Sequence, residues 1–199
     1  MPTLYVYACS FGLMGSTEGP FAHQWNPTVG WCRTLADSLG MSLVNRSLAG
    51  TNNDQIIARY AEDRLLHRAD DIVIVQWTHL HRASRVHAPY TIFPQDKDSV
   101  AETYYEYIYD EIHAIYKVVT ATYWITSVTP CRTIFTTIDD VARWNMCDQR
   151  TVDTILRLSN WYDTPNTVLT PTTRFACDHP NQQGHALMSR YYENIIRTT

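Results

Sequence analysis

Along the chain, short apolar runs alternate with longer stretches in which apolar residues recur every three or four positions. Leu4 to Cys9 is one such run and predicts a first strand. From Val29 to Gly40, Trp31, Leu35 and Leu39 fall four apart, which predicts a helix that Gly40 stops. Ser42 to Leu48 predicts a second strand. Asn52 or Asn53 then caps a helix that carries Ile56, Ile57, Tyr60, Leu65 and Leu66 to about His67. Ile72-Val73-Ile74-Val75 reads as a strand buried on both faces. Residues 79–96 show no period and predict a long surface loop. Asp98 to Val119 predicts an amphipathic, tyrosine-rich helix, and Thr120 to Val128 a fourth strand ended by Pro130. Residues 131–147 fit neither period. A helix near Gln149–Trp161, a short fifth strand at Thr167–Leu169 and a closing helix from Asn181 to Ile196 complete the pattern.

Strands alternating with helices are the mark of parallel βαβ units. The expected fold is a three-layer α/β/α sandwich, flavodoxin-like, with a mostly parallel sheet of about five strands. No internal repeat or linker composition interrupts the 199 residues, so a single domain over 1–199 is expected.

Composition narrows the function classes. A hydrophobic fraction of 45% with 18% charged residues suits a globular chain. A net charge of −4 lacks the basic surface that a general nucleic-acid binder uses to displace counterions. The five cysteines (Cys9, Cys32, Cys131, Cys147 and Cys177) show no CxxC spacing, which favours free thiols over a disulfide or zinc framework. No basic, then apolar leader opens the chain and no run approaches membrane-spanning length. A cytoplasmic site of synthesis without membrane association is therefore expected, and incorporation into a virus particle is compatible with it.

Open parallel sheets bind ligands at the carboxyl ends of their strands. The segments expected there are Ala8-Cys9-Ser10-Phe11-Gly12, Leu48-Ala49-Gly50-Thr51-Asn52, Gln76-Trp77-Thr78-His79 and, before the last helix, Cys177-Asp178-His179-Pro180-Asn181. Together they bring a serine, a glycine, a hydroxyl and a histidine to one edge. A nucleophilic serine needs a base to take its proton and donors to hold the oxyanion, and this set offers both.

These four segments, in this order, resemble the conserved blocks of the SGNH/GDSL hydrolase family. The resemblance implies that Ser10 is the nucleophile, that His179 is the base, and that the amides of Ser10 and Gly50 hold the oxyanion. Asn45 with Gly50 is similar to the second block, and His179-Pro180-Asn181 followed by Gly184-His185 to the last. Cys9-Ser10-Phe11, Gly50-Thr51-Asn52-Asn53 and Gln76-Trp77-Thr78 look especially like bacteriophage-encoded members. Two positions depart from the pattern. Thr78 stands where the family carries an oxyanion-binding asparagine, and a hydroxyl offers one donor where the amide offers two. The family's acid lies two or three residues before the histidine, where this chain has Cys177 and Ala176; Asp178 is adjacent to His179 instead. In extended chain adjacent side chains point to opposite sides, which sets Asp178 poorly for orienting the ring.

Other chemistry-bearing residues have plainer readings. His79, His81 and His87 have no carboxylate close by in sequence, so no metal is expected. Cys9 reads as a small buried hydrophobe, and His185 as a packing or solvent-facing helix residue. Tyr104, Tyr105, Tyr107 and Tyr109 suit either a binding face or helix packing. The six tryptophans are scattered through the chain, as core or pocket wall. The expected function is a serine esterase or deacylase that needs no cofactor and acts on a small ester or an acylated carbohydrate. The alternative is a virion- or tail-associated protein that keeps the fold for binding, with other virion proteins as partners.

Overall fold

The structure is a computed structural model that describes residues 1–13, 26, 30–84, 91–92, 96, 99–139, 160–162, 165–174 and 179–198. Strands β1 (Thr3–Tyr7), β2 (Ser42–Asn45), β3 (Ile72–Trp77) and β6 (Arg132–Thr137) form a four-stranded sheet in the order β2-β1-β3-β6. All three pairings are parallel, with Val6 opposite Asn45, Tyr7 opposite Val75, and Val75 opposite Phe135. A two-stranded antiparallel ribbon, β4 (Ala83–Ser84) with β5 (Thr91–Ile92), lies within the expected 79–96 loop.

Helices cover both faces. The alternation of strand side chains sends Leu4, Val6, Ile74 and Ile134 to one side. There they meet Trp31 and Leu35 of α1 (Trp31–Leu39) and Met188 and Tyr192 of α5 (Gln182–Thr198). Tyr5, Tyr7, Val73, Val75 and Phe135 point to the other side. They pack on Ile56 and Tyr60 of α2 (Asn53–Asp63) and on Ile115, Val118 and Ile125 of α4 (Glu111–Val128). A shorter helix, α3 (Ser99–Tyr107), precedes α4. The boundaries follow local chemistry. Gly40 ends α1 in the left-handed conformation (φ 65°). Asn52 accepts from the Gln55 amide in a capping box that starts α2.

Several expectations are corrected. Thr120–Val128 is not a strand but the second half of α4. Its β-branched residues suggest a strand, yet Ile115, Val118, Val119, Thr122 and Ile125 are the buried positions, a helical three-and-four spacing. The fourth strand of the sheet is instead β6, inside the stretch that fitted neither period. The helix expected over 98–119 is broken at Ile108–Asp110, where the Asp110 carboxylate accepts from the Ile112 amide (2.9 Å) and starts α4 afresh. Thr167–Leu169 is no fifth strand: Pro165–Val168 is a 3₁₀ turn, and on the outer side of β6 the described residues form an isolated bridge from Phe135 to Trp161. Residues 149–159 of the expected helix lie outside the described residues, as do Cys147 and Cys177. Cys9, Cys32 and Cys131 are free.

The chain runs from β1 to β2 on one side, then returns past β1 to β3 on the other. The order therefore reverses between β1 and β3, and the crevice beyond their carboxyl ends is where such sheets bind ligands.

Candidate active site

Ser10 begins a 3₁₀ turn (Ser10–Gly12) directly after β1, at that crevice, and is nearly buried. Side chains from two other elements hold the turn. The Trp31 indole donates to the Phe11 carbonyl (2.8 Å), and the Asn45 amide donates to the Gly12 carbonyl (2.9 Å). The Cys32 thiol adds a contact to the same Gly12 oxygen (3.3 Å). The other end of Asn45 accepts from the Ser47 amide (3.1 Å), so one residue ties the end of β2 to the serine turn.

Gly12 has no room for a side chain. A Cβ there would lie 2.0 Å from Ser47 Oγ and 2.8 Å from Ser47 Cβ. Gly12→Ala is therefore expected to displace the turn, at a cost of about 1–3 kcal/mol typical of overpacking. Urea unfolding checks the stability. If the turn positions the site, kcat for an ester should fall more than stability alone explains.

His179 comes from the segment just before α5. Its Nε2 lies 2.7 Å from Ser10 Oγ, and its ring leans on Phe11 with centroids 5.3 Å apart. The backbone around it is pinned by a neighbouring turn. The Asn181 amide donates to the Thr173 carbonyl (3.0 Å), while the Asn181 side chain donates to the Thr172 carbonyl (2.9 Å). The same side chain accepts from the amides of Gln183 and Gly184 at the start of α5. A Cβ on Gly184 would come 2.3 Å from the Thr173 carbonyl oxygen, so a glycine lets the helix dock this closely.

The remaining expected residues are placed as follows. Gly50 adopts a left-handed conformation (φ 72°) in the turn before α2. Thr78 is fully buried. Its amide donates to Asn53 Oδ1 (2.9 Å), its carbonyl accepts from Asn53 Nδ2 (3.2 Å), and its hydroxyl accepts from Arg82 Nη1 (2.8 Å). The same Arg82 nitrogen donates to the Thr51 carbonyl (3.2 Å), so this guanidinium bridges the loop before α2 to the segment after β3. The structure thus brings Ser10 and His179 into direct contact, while Gly50 and Thr78 lie in the segments that follow the two strands flanking β1. Asp178 lies outside the described residues.

His185 takes the packing course of its two expected readings. It is buried beneath the site, where Nδ1 accepts from the Trp31 amide (3.2 Å) at the start of α1. Burial, then the charge of His179, pushes its pKa down to about 4. It is accordingly neutral near pH 7, with its proton on Nε2.

A second histidine pair was not foreseen. His79 Nδ1 meets Asp139 Oδ1 at 2.5 Å, across the ends of β3 and β6. Burial alone would raise the Asp139 pKa. The His79 hydrogen bond and charge, the Leu80 amide and nearby His81 outweigh it and hold the carboxyl below its ordinary range. No sequence pattern marks Asp139, because β6 lies in the stretch that fits neither period. Asn53 is legible in the sequence only as a candidate cap or motif residue, not as the partner of Thr78, and Arg82 carries no signal beyond its place after a strand end.

Among the described residues no helix is long and apolar enough to cross a membrane, and no group of three or more His, Cys, Asp or Glu side chains is arranged to hold a metal ion.

The parallel sheet flanked by helices, with its switch point between β1 and β3, is the fold of the SGNH-type esterases and hydrolases. A member of the lipolytic G-D-S-L family from Veillonella parvula DSM 2008 superposes over 100% of both chains, with a TM-score of 0.61 at 11% identity. The acetylxylan esterase Axe2 from Geobacillus stearothermophilus matches 100% of this chain and 95% of its own, with a TM-score of 0.60 at 16% identity. The psychrotrophic esterase EstA from Pseudoalteromonas sp. matches 99% and 97%, with a TM-score of 0.56 at 10% identity. No family model matches the sequence, and comparison with curated protein sequences finds no match.

Proposed function

We propose that this protein is a serine ester hydrolase of the SGNH type. The observation that carries the reading is the 2.7 Å contact between Ser10 Oγ and His179 Nε2 at the sheet's switch point. At that distance the imidazole can take the hydroxyl proton as Oγ attacks an acyl carbon. The C–O bond to the alcohol then breaks, and His179 returns the proton to the departing oxygen. Water, deprotonated by the same imidazole, hydrolyses the acyl-serine and restores Ser10. Asp178 or a backbone carbonyl orients His179. The amides of Ser10 and Gly50, with Thr78, hold the oxyanion. No step in this scheme draws on a cofactor.

The likeness to an acetylxylan esterase supports acetylated carbohydrate as the substrate class. Purified protein is expected to release acetate from acetylated xylan and from p-nitrophenyl acetate, read by enzymatic acetate assay and by absorbance.

One observation favours a second reading. The Thr78 hydroxyl is fully buried and accepts from Arg82, at the position where the family carries an oxyanion-binding asparagine. A virion- or tail-associated binding protein, encoded by a bacteriophage as the three motifs suggest, would tolerate that arrangement. Folded protein that hydrolyses neither ester would favour this second reading over the first.

A further inference from the structure

The His79–Asp139 pair is the feature that the proposed chemistry does not use. It sits on the same edge as Ser10. His79 follows Thr78 at the end of β3, and Asp139 follows Ile138, which packs with Cys9 and Phe11 on either side of Ser10. Both carboxylate oxygens are committed, Oδ1 to His79 Nδ1 (2.5 Å) and Oδ2 to the Leu80 amide (3.2 Å). Asp139 is fixed in turn by its own amide, which donates to Thr137 Oγ1 (3.2 Å).

The His79 ring is also stacked on His81, with centroids 5.1 Å apart at 11° between planes. The His81 carbonyl accepts the Tyr105 hydroxyl. This much ordering is unusual for a side chain that remains 34% exposed. A partly exposed histidine–carboxylate pair contributes little to stability, so stability is a weak reason for it. His67 and His185, by contrast, are buried and serve packing.

We infer that His79, oriented by Asp139, contacts the substrate and recognises a hydroxyl group close to the scissile ester. This rests on the hydrolase reading above. With Nδ1 turned to the carboxylate, the open edge of the ring presents Nε2. That nitrogen accepts a hydrogen bond when the ring is neutral and donates one when it is protonated. A hydroxyl both donates and accepts, so it meets Nε2 in either state. A methyl group meets neither.

The test compares 2-hydroxyethyl acetate with propyl acetate, which differ by a hydroxyl in place of a methyl. Wild-type protein is expected to favour the hydroxyl ester by about tenfold to a hundredfold in kcat/KM, the range for one hydrogen bond to an ionisable group. His79→Phe, which keeps a ring to stack on His81, should bring that ratio close to one. Asp139→Asn should lower it in part, and His79→Gln should retain part of it. A wild-type ratio near one overturns the inference. So does a ratio that persists in His79→Phe while both rates fall together, since that is the mark of a structural role. Reaction of wild-type Ser10 with a fluorophosphonate separates the two levels. If Ser10 reacts but the ratio is one, only the inference fails; if Ser10 is inert and neither ester is cleaved, the hydrolase reading fails and the inference with it.

Discussion

Replacing Ser10 with alanine is expected to lower ester turnover by on the order of 10⁴-fold or more, and His179→Ala by nearly as much. The two act as one unit: without Oγ there is no acyl acceptor, and without the imidazole the hydroxyl keeps its proton. The double variant should therefore be little worse than either single one, as in other serine hydrolases where the losses do not add. Neither change should unfold the protein. Ser10 is small, and its turn is held by Trp31, Cys32 and Asn45 through the carbonyls of Phe11 and Gly12. His179 is only partly buried, and its segment is anchored through Asn181. Steady-state kinetics with p-nitrophenyl acetate, beside circular dichroism of each variant, checks this. A His179→Ala loss below about tenfold would remove the histidine from the chemistry.

Acid should weaken the fold through His185. In the folded chain its pKa is about 4, because burial and the neighbouring His179 disfavour the charged ring. In the unfolded chain an imidazole titrates near 6.5. Between those values the unfolded state binds more protons, so stability is complete above about pH 6.5 and declines as pH falls toward 4. The difference corresponds to about 3 kcal/mol. His67, lowered mainly by burial, acts in the same direction. Asp139 and Asp71, both held below the ordinary carboxylate value, extend the loss to lower pH. Urea unfolding at pH 7 and pH 4 measures the drop, and His185→Asn should shrink it. An equal drop in that variant would locate the acid sensitivity elsewhere.

The parts of the site that could be read in the sequence are those that local pattern controls. Ser10 follows an apolar run and His179 precedes a capped helix, so their placement at one edge needed only the alternation of elements and the rule for parallel sheets. The partners that fix them come from distant segments. Asn45 reaching Gly12, Arg82 bridging Thr51 and Thr78, and the Trp31 amide reaching His185 are tertiary contacts with no periodic trace.

Two of the misread elements carry β-branched residues that suggest a strand. Thr120–Val128 is rich in β-branched residues, but its propensity yields to burial of a helical face against the sheet. That error displaced the fourth strand and hid Asp139, and with it the pair that His79 forms. At Thr167–Leu169 the same residue types end in a 3₁₀ turn that begins at Pro165.

The account rests on an activated Ser10, and covalent labelling tests this most directly. Incubation with a fluorophosphonate, followed by intact-mass and peptide-mapping spectrometry, is expected to show one adduct, on Ser10. The adduct should be absent in Ser10→Ala and form far more slowly in His179→Ala, because the reagent needs a deprotonated hydroxyl facing an oxyanion site. Folded wild-type protein that takes up no label, or an adduct that persists in Ser10→Ala on a residue such as Cys9, would contradict it.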